Sequence, residues 1–293
     1  MGRIAVVTDS NSGITQKEAA ALGIYVLPMP FRIDDGDYYE DINITQAEFY
    51  ERIGAGAAVS TSQPSPADVK SLWDRLLKDH DQIVHIPMSS GLSGSCQSAR
   101  MLAEDYGGRV EVIDNQRISV TLRRSCLDAQ VLAQRGSSAA EIRQKLEETG
   151  LDASIYIMLD TLSYLKRGGR ITPAAAAIGT LLKIKPVLQI QGEKLDAFAK
   201  ARTSAQGKKI MLQAIAADIE KRFGGLGQHD VVIDMAYTND EEALLAFRRE
   251  AMEEFPWAGD IHYDPLSLSV GCHIGPGAIA ITAIKNQHFS EGL

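Results

Sequence analysis

Short unbroken apolar runs that end in polar residues recur through the first half of the chain. Ile4-Ala5-Val6-Val7-Thr8-Asp9-Ser10, Gln82–Met88 and Arg109–Asp114 are of this kind, and runs without alternation suit strands covered on both faces, as in a parallel sheet. Between them the apolar spacing turns helical. Thr15–Leu22 is stopped by Gly23, and Thr45 with Glu48 three residues later opens a helix to about Ile53 through a capping box. Ser65, Pro66 and Asp68 place a hydroxyl at the cap, a proline at the first helical position and an acid in the first turn, ahead of the apolar stripe Leu72, Trp73, Leu76 and Leu77. Further helices are expected at Cys96–Asp105, Ile118–Gln134 and Ser138–Glu148, the last with Glu141 completing a capping box. Tyr25–Ile33 reads as one strand ended by the turn Asp34-Asp35-Gly36, and Val59–Pro66, with two prolines, as an extended loop. This alternation predicts a doubly wound, mostly parallel sheet with helices on both faces.

From Leu151 the pattern changes. Ala153–Leu159 reads as a strand, Lys166-Arg167-Gly168-Gly169-Arg170 as a basic loop, and Thr172-Pro173 as the start of an Ala-rich helix. Lys185–Gln191 and Leu195–Ala201 flank Gly192-Glu193, a hairpin signal. A long helix over about Ala205–Phe223, a strand at 230–236, a helix at 241–254 and strands at 260–264 and 277–284 complete a two-layer α/β domain on a mixed sheet. The boundary falls near Gly150, giving domains 1–150 and 151–293.

Composition narrows the function classes. The chain has 293 residues, 45 % of them hydrophobic and 23 % charged, enough to bury a real core. Its net charge of −8 argues against nucleic acid as the main partner. Three cysteines (Cys96, Cys126, Cys272) lie far apart without a Cys-x-x-Cys pair, so neither a disulfide framework nor a zinc site is indicated, and a reducing cytoplasm fits. No signal-peptide stretch and no apolar run of membrane-spanning length is expected, which leaves transient contact with a membrane surface open. Asp9, Asp114 and His85 fall on separate elements, so no metal is implied.

The stretch Ser89-Ser90-Gly91-Leu92-Ser93-Gly94-Ser95 holds four serines and two glycines with no charged residue. Placed between a strand and a helix, it offers hydroxyls and free backbone N–H groups to an anionic head group; the plainer reading is a connection whose serines cap the helix. Gly91-Leu92-Ser93-Gly94 is neither a Walker loop nor a dinucleotide fingerprint. His273 stands in a Gly/Pro turn before an apolar strand, where a histidine is by default a packed structural residue.

Six stretches in order and spacing resemble the DegV-like family, the fatty-acid-binding component of bacterial fatty acid kinase: Thr61-Ser62-Gln63-Pro64-Ser65, Ser89–Gly94, Lys166–Ile171, Lys185–Leu188, Lys200-Ala201-Arg202-Thr203 and His273-Ile274-Gly275-Pro276-Gly277-Ala278. The resemblance implies an α/β/α domain, a mixed-sheet domain and a long-chain fatty acid held between them. It implies no cofactor and no catalytic residue of the protein's own. The carboxylate would be presented to a separate ATP-dependent kinase that makes acyl-phosphate for phospholipid synthesis. On this resemblance Thr61, Ser93 and His273 bind the carboxylate, Ser62, Gly94 and Ser95 support their loops, and Lys166, Arg167, Arg170 and Arg202 are candidates for docking the kinase. Uncharged loops suit the role: hydroxyls orient a carboxylate without neutralising it, and affinity comes from the tail, at roughly 0.8 kcal/mol per buried methylene or about 11 kcal/mol for ~14 methylenes before entropy costs. Two alternatives stay open. Ser93 with His273 could form a serine acyl hydrolase, although Gly-x-Ser-x-Gly is absent, and the cargo could be another small hydrophobic acid.

Overall fold

The computed structural model describes residues 2–170, 172–174, 184–192, 194–225, 230–287 and 289. They fall into two compact units, one of Met1–Thr45, Ala57–Leu151 and His288–Leu293, the other of Gln46–Gly56 and Asp152–Gln287. The helix after Thr45 thus belongs with the second unit although it lies early in the chain.

In the first unit β1 (Ile4–Asp9), β2 (Ile24–Leu27), β6 (Gln82–Ile86) and β7 (Val110–Val112) form a parallel sheet in the order β2-β1-β6-β7. Helices α3 (Pro66–Leu76) and α4 (Ser95–Ala103) cover one face, where Val69, Leu72, Trp73, Leu76, Cys96 and Ala99 bury against Ala5, Val7, Ile83 and Val112. Helices α5 (Val120–Gln134) and α6 (Ala139–Glu148) pack on the strands as well. Two of the expected caps are present: Ser65 accepts from the Asp68 N–H, and Ser138 and Glu141 form a full capping box. Thr15 and Glu18 form another, not expected from sequence, at the start of α1 (Gln16–Leu22).

Two expectations change here. Tyr25–Ile33 is not one strand: β2 ends at Leu27, and β3 (Pro30–Ile33) belongs to a separate antiparallel sheet with β4 (Gly36–Tyr39) and β5 (Val59–Thr61). Pro28 lies at the break, has no N–H to give a ladder, and fixes its own φ. The segment expected as an extended loop begins with that strand: Val59–Thr61 pairs with β3, Thr61 opposite Phe31, and both prolines fall beyond it.

The second unit holds a six-stranded sheet of order β10-β9-β8-β13-β11-β12, antiparallel except between β11 and β12. Its strands are β8 (Ala153–Met158), β9 (Lys185–Ile190), β10 (Leu195–Ala201), β11 (Val231–Tyr237), β12 (His262–Pro265) and β13 (Ile279–Lys285). The expected hairpin joins β9 to β10, with Leu195 opposite Ile190 and Gly192 at φ 114°. Helices α8 (Ser204–Lys221) and α9 (Glu241–Glu254) bury Met211, Ile215, Leu244 and Phe247 on one face of the sheet. Helix α2 (Gln46–Gly54) joins this unit, its Gln46 amide donating to the Leu266 carbonyl at 3.2 Å.

Two loops expected from sequence are helices. The basic stretch at 166–170 lies at the end of α7 (Ser163–Gly168), with Gly169 as a left-handed cap at φ 66°, and His273 sits in the last turn of α10 (Leu268–Ile274). Each helix is shorter than two turns, too short for its periodicity to register. The Ala-rich helix expected after Thr172 falls, beyond Ala174, mostly outside the described residues. Among the described residues no helix is long and apolar enough to cross a membrane.

Candidate functional site

Ser93 and Thr61 both lie in the first unit, where two loops meet. Leaving β6, the chain turns so that the Leu92 and Ser93 N–H groups both donate to the Ser89 carbonyl, at 3.0 and 3.2 Å. The Ser93 hydroxyl then accepts the Ser95 N–H at 3.2 Å, at the first residue of α4. Ser93 stands one residue before the cap position, which Gly94 fills without a side-chain hydrogen bond, and its hydroxyl keeps its O–H proton to donate. Ser93 is half-buried and Gly94 exposed. The loop is fixed from below. Asp9, 1 % exposed at the end of β1, accepts the Met88 N–H at 2.8 Å and the Asn11 N–H at 2.9 Å, and the Ser89 N–H donates to the Arg117 carbonyl at 2.9 Å. Burial pushes the Asp9 carboxyl up to about 6, against the pull of those backbone donors.

Thr61, at the end of β5, starts the second loop, and Ser62 is exposed. Gln63 ties this loop to the first: its amide donates to Ser98 Oγ on α4 at 2.9 Å. A Cβ at Gly94 would stand 3.2 Å from Gln63 Oε1. Both hydroxyl loops are thus pinned to the same end of α4. Beneath them is a small cavity lined among others by Asp9, Pro64, His85, Ser95 and Ser98. Asp9 and His85, on separate strands, share this one space. Asp114 takes a different part and accepts the Ser90 N–H at 3.3 Å. Among the described residues no cluster of three or more His, Cys, Asp or Glu is placed to hold a metal.

The same run of structure is found in other proteins. The family model described as "Uncharacterised protein, DegV family" matches residues 3–286. The chain belongs to the DegV family. A DegV domain-containing protein of Deinococcus radiodurans is 34 % identical over 281 residues, 95 % of this chain and 97 % of that one. A DegV family protein from Thermus thermophilus, described as showing fatty acid binding, superposes with a TM-score of 0.88 at 32 % identity, covering 97 % of this chain and 100 % of that one. Bacillus subtilis DegV, described as a fatty acid binding protein, gives 0.85 at 28 % identity, covering 98 % and 100 %.

In this DegV family member the other sequence-predicted residues belong to the second unit. His273 is half-buried against the end of α7: a Cβ on Gly168 would lie 2.2 Å from its Nδ1. Two residues beyond His273, a Cβ on Gly275, at φ 73°, would lie 2.4 Å from the Tyr164 ring, a second close contact between α7 and the end of α10. Arg167 stacks on the Tyr164 ring at 4.5 Å, and Arg170 donates to the Gly168 carbonyl at 2.7 Å. Two of the motifs read separately in sequence, Lys166–Ile171 and His273–Ala278, therefore meet at one imidazole. Tyr164 was not singled out from sequence, and Gly168 and Gly275 were read only as parts of their motifs; two glycines set opposite one histidine and one tyrosine leave no local signature of that contact.

Burial, and then the nearby Arg170 charge, pull the His273 ring down to about 4. It is a neutral hydrogen-bonding group at pH 7 and not a counter-ion for a carboxylate. Burial alone takes His85 down to about 4 as well. For both, the folded value lies below the ordinary 6.5, so their contribution to stability is complete above 6.5 and is lost as pH falls toward 4. Asp9 acts in the opposite sense, gaining its proton in the folded state between about 6 and 3.8. NMR titration separates these effects. The ring protons of His85 and His273 should hold their neutral shifts from pH 8 down to about 5. A midpoint near 6.5 for either would show that its ring is not buried as described.

Lys166 and Arg167 are exposed, as is Arg202, which follows β10 directly before Thr203, the N-cap of α8. The Arg202 backbone N–H donates to Gln206 Oε1 at 2.8 Å. The thiols of Cys96 and Cys126 are pushed up to about 12, chiefly by burial, which makes nucleophilic chemistry at these two sulfurs unfavourable; all three cysteines are buried and none is in a disulfide.

Proposed function

We propose that this protein binds a long-chain fatty acid and presents its carboxylate to a separate ATP-dependent kinase, which forms the acyl-phosphate. The observation that carries the reading is the uncharged hydroxyl loop at the carboxyl edge of the parallel sheet. There the Ser93 hydroxyl has its acceptor role filled by the Ser95 N–H and its proton left to donate. The loop that begins at Thr61 is pinned beside it through Gln63 and Ser98. Ligands of open parallel sheets sit at this edge. The Thermus and Bacillus relatives, each described as binding fatty acid, support the reading.

In the proposal Thr61 and Ser93 donate to the carboxylate, and neutral His273 adds a further hydrogen bond. Ser62, Gly94 and Ser95 shape the loops. The carboxylate stays anionic and nucleophilic, and its oxygen attacks the terminal phosphoryl group of ATP on the kinase, with ADP leaving. Lys166, Arg167, Arg170 and Arg202 are proposed to receive the kinase, the exposed Arg202 being free of competing side-chain pairs among the described residues. Mass spectrometry of small molecules released on denaturing the purified protein tests the first step. About one fatty acid per chain is expected. A protein that is empty, and that also takes up no added fatty acid, would end the reading. Turnover of chromogenic esters that disappears in Ser93→Ala would replace it with an acyl hydrolase.

A further inference from the structure

His85 is out of place by its neighbours. It lies on β6, in the interior of the parallel sheet, with Val7 and Val112 as its register partners on either side. Its ring meets the Trp73 indole edge-on at 5.6 Å, on the face that α3 and α4 cover with apolar side chains. It is 2 % exposed, and neither ring nitrogen has a hydrogen-bond partner among the described residues. A neutral imidazole holds one donor and one acceptor, and burying both unmet is costly. A second group in the same position is close by: Ser95 is 9 % exposed and its hydroxyl is likewise unpartnered among the described residues.

Both side chains line the cavity under the hydroxyl loops, together with Asp9. The space open there to the centre of a water-sized sphere is about 10 Å³, near the ~10–15 Å³ that one water requires. It is too small for an acyl tail. A buried water is held by about three hydrogen bonds, and the lining includes three groups able to make them: an imidazole nitrogen, the Ser95 hydroxyl, and the remaining lone pairs of an Asp9 carboxylate that already accepts two N–H groups.

We propose that one water molecule is built into this cavity, bridging His85 to Ser95 and Asp9, and that His85 is a positioning residue for the Ser93 turn through it. The connection is short. Ser95 donates its N–H to Ser93 Oγ, and Asp9 holds the Met88 N–H at the start of the same loop. The water thus fixes both ends of the segment that carries Ser93. A hydrophobic residue at 85 would fill the strand equally well but would remove the link between the Asp9 and Ser95 ends of this segment, leaving each held only by its own hydrogen bond.

The water itself is tested without any lipid. A high-resolution crystal structure of the full chain should show one ordered water within hydrogen-bond distance of a His85 ring nitrogen and Ser95 Oγ, absent in His85→Phe. Stability changes for His85→Phe and Ser95→Ala should be non-additive, because either one removes the bridge. A dry cavity in the wild type, or additive losses, overturns the proposal. The positioning role rests on the fatty-acid reading and is tested by comparing palmitate with hexadecanol, which shares the tail and lacks the carboxylate. His85→Phe should weaken palmitate binding about three- to tenfold, as the loss of one water-mediated hydrogen-bond relay would. Hexadecanol binding should stay unchanged, and His85→Gln should restore much of the palmitate loss. Ser95→Ala, a smaller change that leaves the strand intact, should give the same selective signature. Equal weakening toward both ligands would reduce His85 to a packing residue. A wild type that binds neither ligand would end the fatty-acid reading and the positioning role together, while the density and the stability cycle still decide the water.

Discussion

Replacing Ser93 by Ala should cut kinase-coupled acyl-phosphate formation by about a hundredfold while lowering fatty-acid affinity by no more than about tenfold. The split follows from where the two free energies reside. In the proposed complex the tail supplies on the order of 11 kcal/mol of gross burial for ~14 methylenes, whereas one of the two hydroxyls donating to the carboxylate contributes about 1.5 kcal/mol, or about tenfold in affinity. Losing that bond leaves the lipid held, but its carboxylate is no longer fixed for attack on a phosphoryl group. The variant also loses the acceptor for the Ser95 N–H at the start of α4, so the loop loosens at the point where the head group is aimed. Equilibrium binding and a coupled kinase assay on the same preparations would show the effect. Equal loss in both would mean that Ser93 holds the lipid and does not orient it.

Gly168→Ala should displace His273, and its sign opposes what helix propensity predicts. Gly168 lies in the last turn of α7 without a left-handed backbone, where alanine would ordinarily stabilise by about 0.5–1 kcal/mol. Here the new Cβ would stand 2.2 Å from His273 Nδ1 and 3.0 Å from Cε1. The ring must leave its place or α7 must lift from α10, an overpacking cost of about 1–3 kcal/mol. We expect a lower melting temperature, a shifted His273 ring resonance and impaired acyl transfer. Gly169→Ala is the control: that residue has φ 66° with no atom within 4 Å of a new Cβ, so it pays backbone strain without touching the histidine. In Gly168→Ala/His273→Ala the stability loss of the first change should be largely relieved. A Gly168→Ala protein that melts at or above the wild type, with the His273 resonance unmoved, would show that the two residues do not meet.

Both variants mark the division between what sequence and tertiary structure decide. Sequence alone determined the elements whose signals are local. Unbroken apolar runs identified β1 and β6 as buried parallel strands, Gly23 marked the end of α1, and the Ser138–Glu141 pair located the start of α6. The Ser65-Pro66 pair located α3, and Gly192 located the β9–β10 hairpin. These signals act through backbone hydrogen bonds within a few residues, so they need no partner from elsewhere in the chain. Motif order along the whole chain was likewise legible, and the family match over residues 3–286 agrees with it.

What the local signals could not carry was decided by packing. The run Tyr25–Ile33 looked continuous because its apolar residues are continuous; only the competing sheet formed with β5, which lies some thirty residues further on, shows that Pro28 divides it. Helices α7 and α10 are too short to repeat an apolar period, and each is stabilised by the other through contacts at Gly168 and Gly275 that have no meaning until both are folded. His85 read as an unremarkable strand residue, since nothing in Ile83-Val84-His85-Ile86 announces an unmet imidazole. That fact arises only when Trp73, Ser95 and Asp9, from three different elements, enclose it. Sequence order sets which hydrogen-bonding groups exist; long-range packing sets which of them are left facing a cavity.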